Sequence, residues 1–254
     1  MDTITHNRRA WDRRVKEGDS PYTQPVPSEQ VEAARQGDWN IHVIYSPVPK
    51  VWLGDVEGRD ILCLASGGGQ QGPILAAAGA SVTIFDLSDE QLAQDRLVAE
   101  RDGLVLQTVQ GDMRDLSAFE DASFDLIVHP VSNCFIPDVQ PLWREAFRVL
   151  RPGGQLLAGM VNPLLYALGE DEDDSLCIQR KIPYSDAEHL SEEEKRSRFE
   201  AGRALEFGHS LSDLIGGQLK TGFMLTGFEE SGFPGKAVDV YMPMLFATRA
   251  LKPH

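Results

Sequence analysis

Apolar and polar positions between residues 60 and 161 alternate in blocks that predict strands separated by helices. Asp60-Ile61-Leu62-Cys63-Leu64 is a short apolar run that breaks, after Ala65-Ser66, into Gly67, Gly68, Gly69 and Gly72. It predicts a strand, a tight turn and a helix over 73–79. Four glycines so close together are unfavourable inside a regular element, since each loses more backbone entropy on ordering than another residue would. Residues 81–86 predict a second strand that ends in the carboxylate of Asp86. Ser88 stands three residues before Gln91, the spacing of a capping box, and opens a helix that runs to about Arg101 and stops at Gly103. A third strand is expected over 104–109 and a fourth over 124–129, followed by a loop from Pro130 to Pro137. A helix over 141–150 places Leu142, Ala146, Val149 and Leu150 on one face. Arg151-Pro152-Gly153-Gly154 ends it, and 155–161 predict a fifth strand. This alternation specifies a parallel α/β sheet.

The flanks follow a looser pattern. Trp11 and Val15 lie four apart among charges and predict a helix over 3–18 that ends at Gly18. Pro21, Pro25 and Pro27 impose an extended passage, and Ser28-Glu29-Gln30-Val31-Glu32 predicts the capped start of a second helix that stops by Gly37. Such leading helices can lid a pocket. Trp11, Tyr22, Trp39 and Trp52 either stack on a ligand or pack the helices onto the sheet. Beyond the fifth strand, a helix over 211–222 and strands over 224–230 and 241–250 are expected, with glycines and Pro234 in the connection. At 254 residues the chain accommodates one domain, 1–254. We divide it into an N-terminal helical cap (1–58), a core (59–161), an insertion (162–209) and a closing helix and hairpin (210–254).

Composition narrows the function. With 24 basic and 39 acidic residues the formal charge is −15, which disfavours nucleic acid as a partner because phosphate recognition relies on basic surface. The one basic cluster, Arg8, Arg9, Arg13, Arg14 and Lys16, reads as a solvated helix face. No apolar run approaches membrane-spanning length, so no membrane partner is expected. Residues 1–14 are polar where a secretory signal would be apolar, so a cytoplasmic location is expected. Cys63, Cys134 and Cys177 are widely spaced and read as free thiols, and no two of the six histidines have the i, i+4 spacing of a helical metal pair, so no metal is expected.

Gly67, Gly69 and Gly72 fit the G-x-G-x-x-G spacing in which bare main chain meets a nucleotide cofactor at a helix N-terminus. Asp86 lies nineteen residues after Gly67. There it either accepts hydrogen bonds from ribose hydroxyls or caps the next helix. Asp112 and Met113 follow the third strand and either flank the same ligand or form an Asx-type turn.

These segments resemble the class I S-adenosylmethionine-dependent methyltransferases of the small-molecule type. The resemblance rests on residues 62–72, on Asp86-Leu87-Ser88, on Gly111-Asp112-Met113, and on Phe147-Arg148-Val149-Leu150-Arg151-Pro152-Gly153-Gly154. It covers about 60–161. It implies a Rossmann-like, doubly wound, mostly parallel seven-stranded sheet closed by a C-terminal antiparallel hairpin. It also implies a cofactor set of Ser66, Gly67, Gly68, Gly69, Gln71, Asp86, Leu87, Asp112, Met113 and His129. By this resemblance the glycines approach the methionine portion of S-adenosyl-L-methionine, Asp86 holds its ribose, Asp112 and Met113 border its adenine, and the main chain at His129 meets its methionine end. The chain departs from the family at Cys63 and Ala65, where an acid and a glycine are common. His129-Pro130-Val131-Ser132 stands in place of the Asn/Asp-Pro-Pro-Tyr/Phe motif of nucleic-acid base methylation.

The implied reaction is methyl transfer to a small-molecule acceptor by in-line displacement. A sulfonium methyl is already activated, so the enzyme aligns a nucleophile with it and excludes water. His129 is the candidate general base, or a structural histidine whose ring bonds the loop. Asn133 orients substrate or makes the turn, and Cys134 reads as a small buried hydrophobe. The insertion is expected to face the acceptor, through Tyr166, Tyr184, Ser185, Asp186 and His209 or by keeping its own fold, while residues 170–174 read as a solvated acidic loop. The alternatives are an NAD(P)-dependent oxidoreductase and a non-catalytic S-adenosylmethionine-binding protein.

Overall fold

The computed structural model of the chain describes residues 2–18, 20–170, 176–233 and 237–254. Helix α1 (Thr3–Glu17) starts where Asp2 accepts a hydrogen bond from Thr5 N and ends at Gly18, whose φ of 67° is the left-handed stop the sequence predicts. A 3₁₀ turn (Pro21–Thr23) and an extended passage lead to α2 (Ser28–Arg35). Here the expected cap is corrected: Ser28 is the first helical residue after Pro27, and its hydroxyl bonds Asp102 instead of the helix. A short α3 (Lys50–Leu53) precedes β1 (Asp60–Leu64), and α4 (Gln71–Ala77) begins two residues before the predicted start, leaving Pro73 in its first turn.

Strand β2 (Ser81–Asp86) leads into α5 (Asp89–Asp102), capped by Ser88 through Gln91 N and closed by Gly103. Only this half of the capping box forms, because Ser88 N already donates to Asp86 Oδ1. Strand β3 (Gln107–Gln110) is shorter than 104–109 suggested, and Val105 is 90% exposed. Leu106 packs against the core from ahead of the strand, so the apolar pattern reports burial there without strand pairing. Strand β4 (Phe124–His129), α6 (Gln140–Val149) and β5 (Leu150–Val161) complete the core. Arg151 to Gly154 ends α6 but also enters β5, and the pairing with β4 shifts register between Phe124 and Leu126 to accommodate it.

The insertion consists of α7 (Leu164–Ala167), β6 (Leu168–Glu170), β7 (Leu176–Ile178), β8 (Tyr184–Ser185), α8 (Asp186–His189), α9 (Glu192–Glu200) and β9 (Phe207–Gly208). Residues 171–174 of the expected acidic loop, and Pro234, lie outside the described residues. Helix α10 (Leu211–Thr221), with the capping box of Ser210 and Asp213, precedes β10 (Met224–Ser231) and β11 (Leu245–Leu251). The last strand is shorter than predicted: residues 237–240 form a 3₁₀ turn and Pro243 precedes the strand.

The seven-stranded sheet has the order β10-β11-β5-β4-β1-β2-β3. Five strands run parallel, and β11 and β10 join antiparallel, as the Rossmann-like expectation has it. Alternate residues of β1 serve the two faces. Ile61 and Cys63 pack with Ile74, Leu75 and Leu92 of α4 and α5, whereas Leu62 and Leu64 pack with Leu142, Trp143 and Val149 of α6. Trp52 belongs to the first of these layers, so it packs the entry segment onto the sheet.

Candidate functional site

The sheet order reverses between β1 and β4, and a cavity of about 1000 Å³ opens beyond the carboxyl ends of these strands. This is the place where doubly wound sheets hold ligands. Of the residues expected there, Ser66, Gly67, Gln71, Asp86, Leu87, Asp112 and Met113 line the cavity. Gly68, Gly69 and His129 do not.

Each departure has a physical reason. Gly68 and Gly69 have positive φ angles, 113° and 75°, and the passage between α1 and α2 lies on them. A Cβ on Gly68 would come 2.7 Å from Tyr22 O, and one on Gly69 3.0 Å from the Pro25 side chain. Val26 N donates to Gly69 O, and Gln70 Nε2 donates to Pro21 O and Gln24 O. These two glycines therefore admit the chain's own strap. Gly72 packs helix against strand, since a Cβ there would meet Ile84 at 2.4 Å.

His129 stands behind the cavity wall. Its ring is fully buried beside Trp143, with Nδ1 at 2.9 Å from Leu64 O and Nε2 at 3.4 Å from Asn133 Nδ2. Burial lowers its pKa to about 4, against a weaker opposing effect of the Leu64 carbonyl. A neutral ring tied to β1 matches the structural reading of this residue, and Ser132, whose hydroxyl is 3.5 Å from Nδ1, stands between it and the cavity. Asn133 belongs to the same knot, donating to Gly159 O at 2.7 Å.

The carboxylate of Asp86 receives Gly67 N on Oδ2 and Ser88 N on Oδ1, each at 2.9 Å. Burial pushes its pKa up, the main-chain donors pull it down, and the negative charge of Asp12 raises it further. Behind it Asp95, wholly buried in α5, accepts from Gly68 N at 3.0 Å, and burial pushes its carboxyl well up. Asp112 makes the Asx-type turn to Arg114 N and also holds the Arg114 guanidinium, with Nη2 at 2.6 Å from Oδ2, and it does so on the cavity wall.

Sequence reasoning missed several cavity residues. Gln91, in the first turn of α5, is buried on the wall, and its Oε1 has no hydrogen-bond partner among the described residues. The same is true of Ser66 Oγ. Helix α1 contributes Ile4, Asn7, Trp11 and Arg14, with Trp11 edge-on to Phe135 and the Arg14 guanidinium 5.3 Å from the Trp11 ring. Arg14 thus leaves the solvated basic face for the cavity. Glu206 arrives from the insertion. Of the insertion residues singled out earlier, Tyr166 reaches the cavity, Tyr184 stacks on it, Asp186 accepts from Glu206 N and His209 bonds Asn133 O, while Ser185 is not on the wall. A capping-box spacing hid the role of Gln91, and nothing in sequence marks Asn7 or Glu206 as cavity residues.

A nucleoside-sized cleft at a switch point, with an acid at the end of β2, defines a Rossmann-like cofactor-binding protein. Residues 62–158 match the family described as "Methyltransferase domain". The chain is 47% identical over 253 residues to the uncharacterized methyltransferase YbaJ of Bacillus subtilis (strain 168), covering 98% of each protein. Among solved structures it is similar in fold to an S-adenosylmethionine-dependent methyltransferase from Mesorhizobium loti, with a TM-score of 0.63 and 20% identity over 80% of this chain and 94% of that one. It is also similar to the Burkholderia thailandensis 1,6-didemethyltoxoflavin-N1-methyltransferase with bound 1,6-didemethyltoxoflavin and S-adenosylhomocysteine. That match has a TM-score of 0.60 and 14% identity over 98% and 88% of the two chains. The chain belongs to the class I S-adenosylmethionine-dependent methyltransferases. It is an enzyme of that type and its cofactor is S-adenosyl-L-methionine, which sets aside the nicotinamide oxidoreductase and the non-catalytic binder.

The residues present fit that cofactor. Two buried polar atoms, Ser66 Oγ and Gln91 Oε1, have no hydrogen-bond partner among the described residues, and they lie on the wall that also carries Asp86. Unpaired buried polar groups are costly, so a ligand that supplies the missing donors relieves them. Gly67 keeps main chain on the wall between them, and a Cβ there would come 2.8 Å from Gln91 Cβ. No helix among the described residues is long and apolar enough to cross a membrane.

Proposed function

We propose that the protein transfers a methyl group to a small-molecule acceptor by in-line displacement within this single cavity. Bound S-adenosylmethionine supplies a methyl group already activated on a sulfonium. Asp86 would accept hydrogen bonds from the ribose hydroxyls, with its remaining lone pairs free beside the two main-chain donors. Ser66, Gly67 and Gln91 would meet the methionine and ribose portions, and Leu87, Asp112 and Met113 would border the adenine. Gln71 is committed elsewhere through its side chain, which accepts from His42 N at 2.9 Å, so its part is to hold the 39–45 segment against the loop.

The four segments have distinct parts in this reading. The core 59–161 holds the cofactor, the cap 1–58 and the insertion 162–209 enclose the acceptor, and 210–254 closes the sheet. The carrying observation is that the orphaned polar atoms and Asp86 share one cavity with an aromatic and aliphatic wall built from α1 and the insertion. A volume of about 1000 Å³ is at the upper end of ordinary ligand sites, which leaves space for a second molecule beside a nucleoside. The Burkholderia enzyme, which holds both a heterocycle and S-adenosylhomocysteine in this fold, supports the same division.

Calorimetry with S-adenosylmethionine, S-adenosylhomocysteine and NADH tests the cofactor half, and turnover with thiols, amines, phenols and carboxylates tests the acceptor half. Binding of the two sulfur nucleosides but not NADH, with turnover of at least one class, is the expected result. NADH binding in their place would overturn the reading.

A further inference from the structure

Resting on the methyltransferase reading, we propose that Glu206, positioned by Tyr166, accepts the proton of the methyl acceptor, and that this acceptor is a neutral phenol or heteroaromatic N–H compound. The Tyr166 hydroxyl donates to Glu206 Oε2 at 3.1 Å, and both residues line the cavity. Glu206 Oε1 has no hydrogen-bond donor among the described residues; its nearest cation, Arg198 Nη1, is 3.9 Å away. One oxygen is thus held by the protein and the other is left for a ligand. The Glu206 side chain is 37% accessible, and its partial burial pushes the carboxyl up, a direction suited to a group that takes a proton.

The surroundings argue for the acceptor class. Arg198 lies between Glu206 and the buried Asp186, and Arg14 of α1 adds a second positive charge within range of Glu206. With its charge compensated in this way, the carboxylate has no need of a cationic ligand. The neighbouring wall is Trp11, Phe135, Leu165 and Tyr166, with Cys134 held as a neutral thiol by burial. Such a wall favours a flat, uncharged ring. In the step, a lone pair on the acceptor's oxygen or nitrogen forms the bond to the methyl carbon as the carbon–sulfur bond breaks and leaves its pair on sulfur. The proton of that O–H or N–H passes to Glu206 and from there to solvent.

The test is calorimetric, on the full chain saturated with S-adenosylhomocysteine, using 4-methylphenol, 4-methylanisole and benzylamine as probes. The wild type is expected to bind the phenol about tenfold more tightly than its ether, the value of one charge-assisted hydrogen bond. Glu206→Gln should shrink that preference to about threefold or less while S-adenosylhomocysteine affinity is kept, which reports an intact fold. Phenol affinity should rise with pH as Glu206 loses its proton. Tyr166→Phe removes a hydrogen bond that favours the ionised carboxylate, so it should move that rise to higher pH, an effect that loss of packing alone would not produce. The groups facing Glu206 are Tyr166 of α7, Cys134 of the 133–135 turn, Arg198 of α9, Asp186 of α8 and Arg14 of α1. Equal affinity for phenol and ether, a preference unchanged in Glu206→Gln, or tighter binding of benzylamine would each overturn the proposal with the methyltransferase reading intact. Failure to bind S-adenosylhomocysteine would overturn both.

Discussion

The two ends of the cavity are built by different means. At the end proposed for the cofactor the wall comes from strand ends and the turn after β1, and main chain does much of the work: Gly67 N fixes Asp86, and Ser88 N holds its other oxygen. At the end proposed for the acceptor the wall is made of side chains from segments as distant in sequence as Asn7, Phe135 and Glu206, with Asn7 tied to the main-chain carbonyls of Phe135 and Leu205 at 2.9 and 3.0 Å. A site made by main chain at strand ends is a property of the fold and recurs wherever the fold does. A site made by side chains on added helices changes without disturbing the sheet, as expected of the half that chooses the acceptor.

The comparison breaks most visibly at Asp86. Asp86→Ala removes the ribose contact and also leaves Gly67 N and Ser88 N without their acceptor. Cofactor affinity should fall by about 100-fold or more, equivalent to roughly 3 kcal/mol for lost hydrogen bonds to a charged group. Calorimetry with S-adenosylhomocysteine measures it. A fall of less than about threefold would remove Asp86 from the site.

The same division explains what could be read from sequence. The glycines, Asp86 and Asp112 were legible because strand-turn-helix periodicity locates a strand end, and the ligand side of a doubly wound sheet follows from strand direction. Their individual duties were less so. Gly69 has the spacing of a cofactor glycine and Gly68 stands beside it, but both are needed for the strap at Tyr22 and Pro25, a contact between segments more than forty residues apart. His129 is the last residue of β4, and alternation along that strand puts its ring on the face of Ile127, against Trp143, where Nδ1 meets Leu64 O. Strand direction alone brought it to the ligand side, and only the strand's exact bounds show the face. Glu206 was invisible for the opposite reason, since one glutamate in an acidic chain has no local pattern to distinguish it.

His129 gives the next largest effect. A buried histidine with its pKa lowered from 6.5 to about 4 binds fewer protons folded than unfolded between those values. Its stabilising contribution is therefore full above about pH 6.5 and is lost as pH falls toward 4, by an amount on the order of 3 kcal/mol. Urea unfolding across that interval should show this acid limb, and His129→Gln should flatten it while cofactor affinity stays within about threefold. A limb of unchanged height in the variant would assign the acid sensitivity to other groups. A smaller change is expected from Asn7→Ala, which deletes two side-chain donations and the acceptance from Leu205 N at 2.8 Å. A loss of about 2 kcal/mol, seen as a drop of about 4–8 °C in Tm, should come with weakened acceptor binding and unaltered cofactor binding, because α1 is pinned at the acceptor end. Equal weakening of both ligands would mean that the two ends are not separable.

The finest division concerns Ser66 and Gln91, whose buried side-chain oxygens have no hydrogen-bond partner among the described residues. A buried polar atom without a partner destabilises the protein that carries it, so removing it should leave stability unchanged or slightly improved. If its partner is the cofactor, the same removal must weaken binding. Ser66→Ala and Gln91→Met preserve shape closely enough to separate the two effects. Each should raise the Kd for S-adenosylhomocysteine by about fivefold, near 1 kcal/mol for one hydrogen bond, with Tm within about 2 °C of the wild type or above it. A residue that serves the fold shows the reverse pattern, with lower Tm and intact affinity, and that outcome at either position would move it from the cofactor end of the cavity to the scaffold around it.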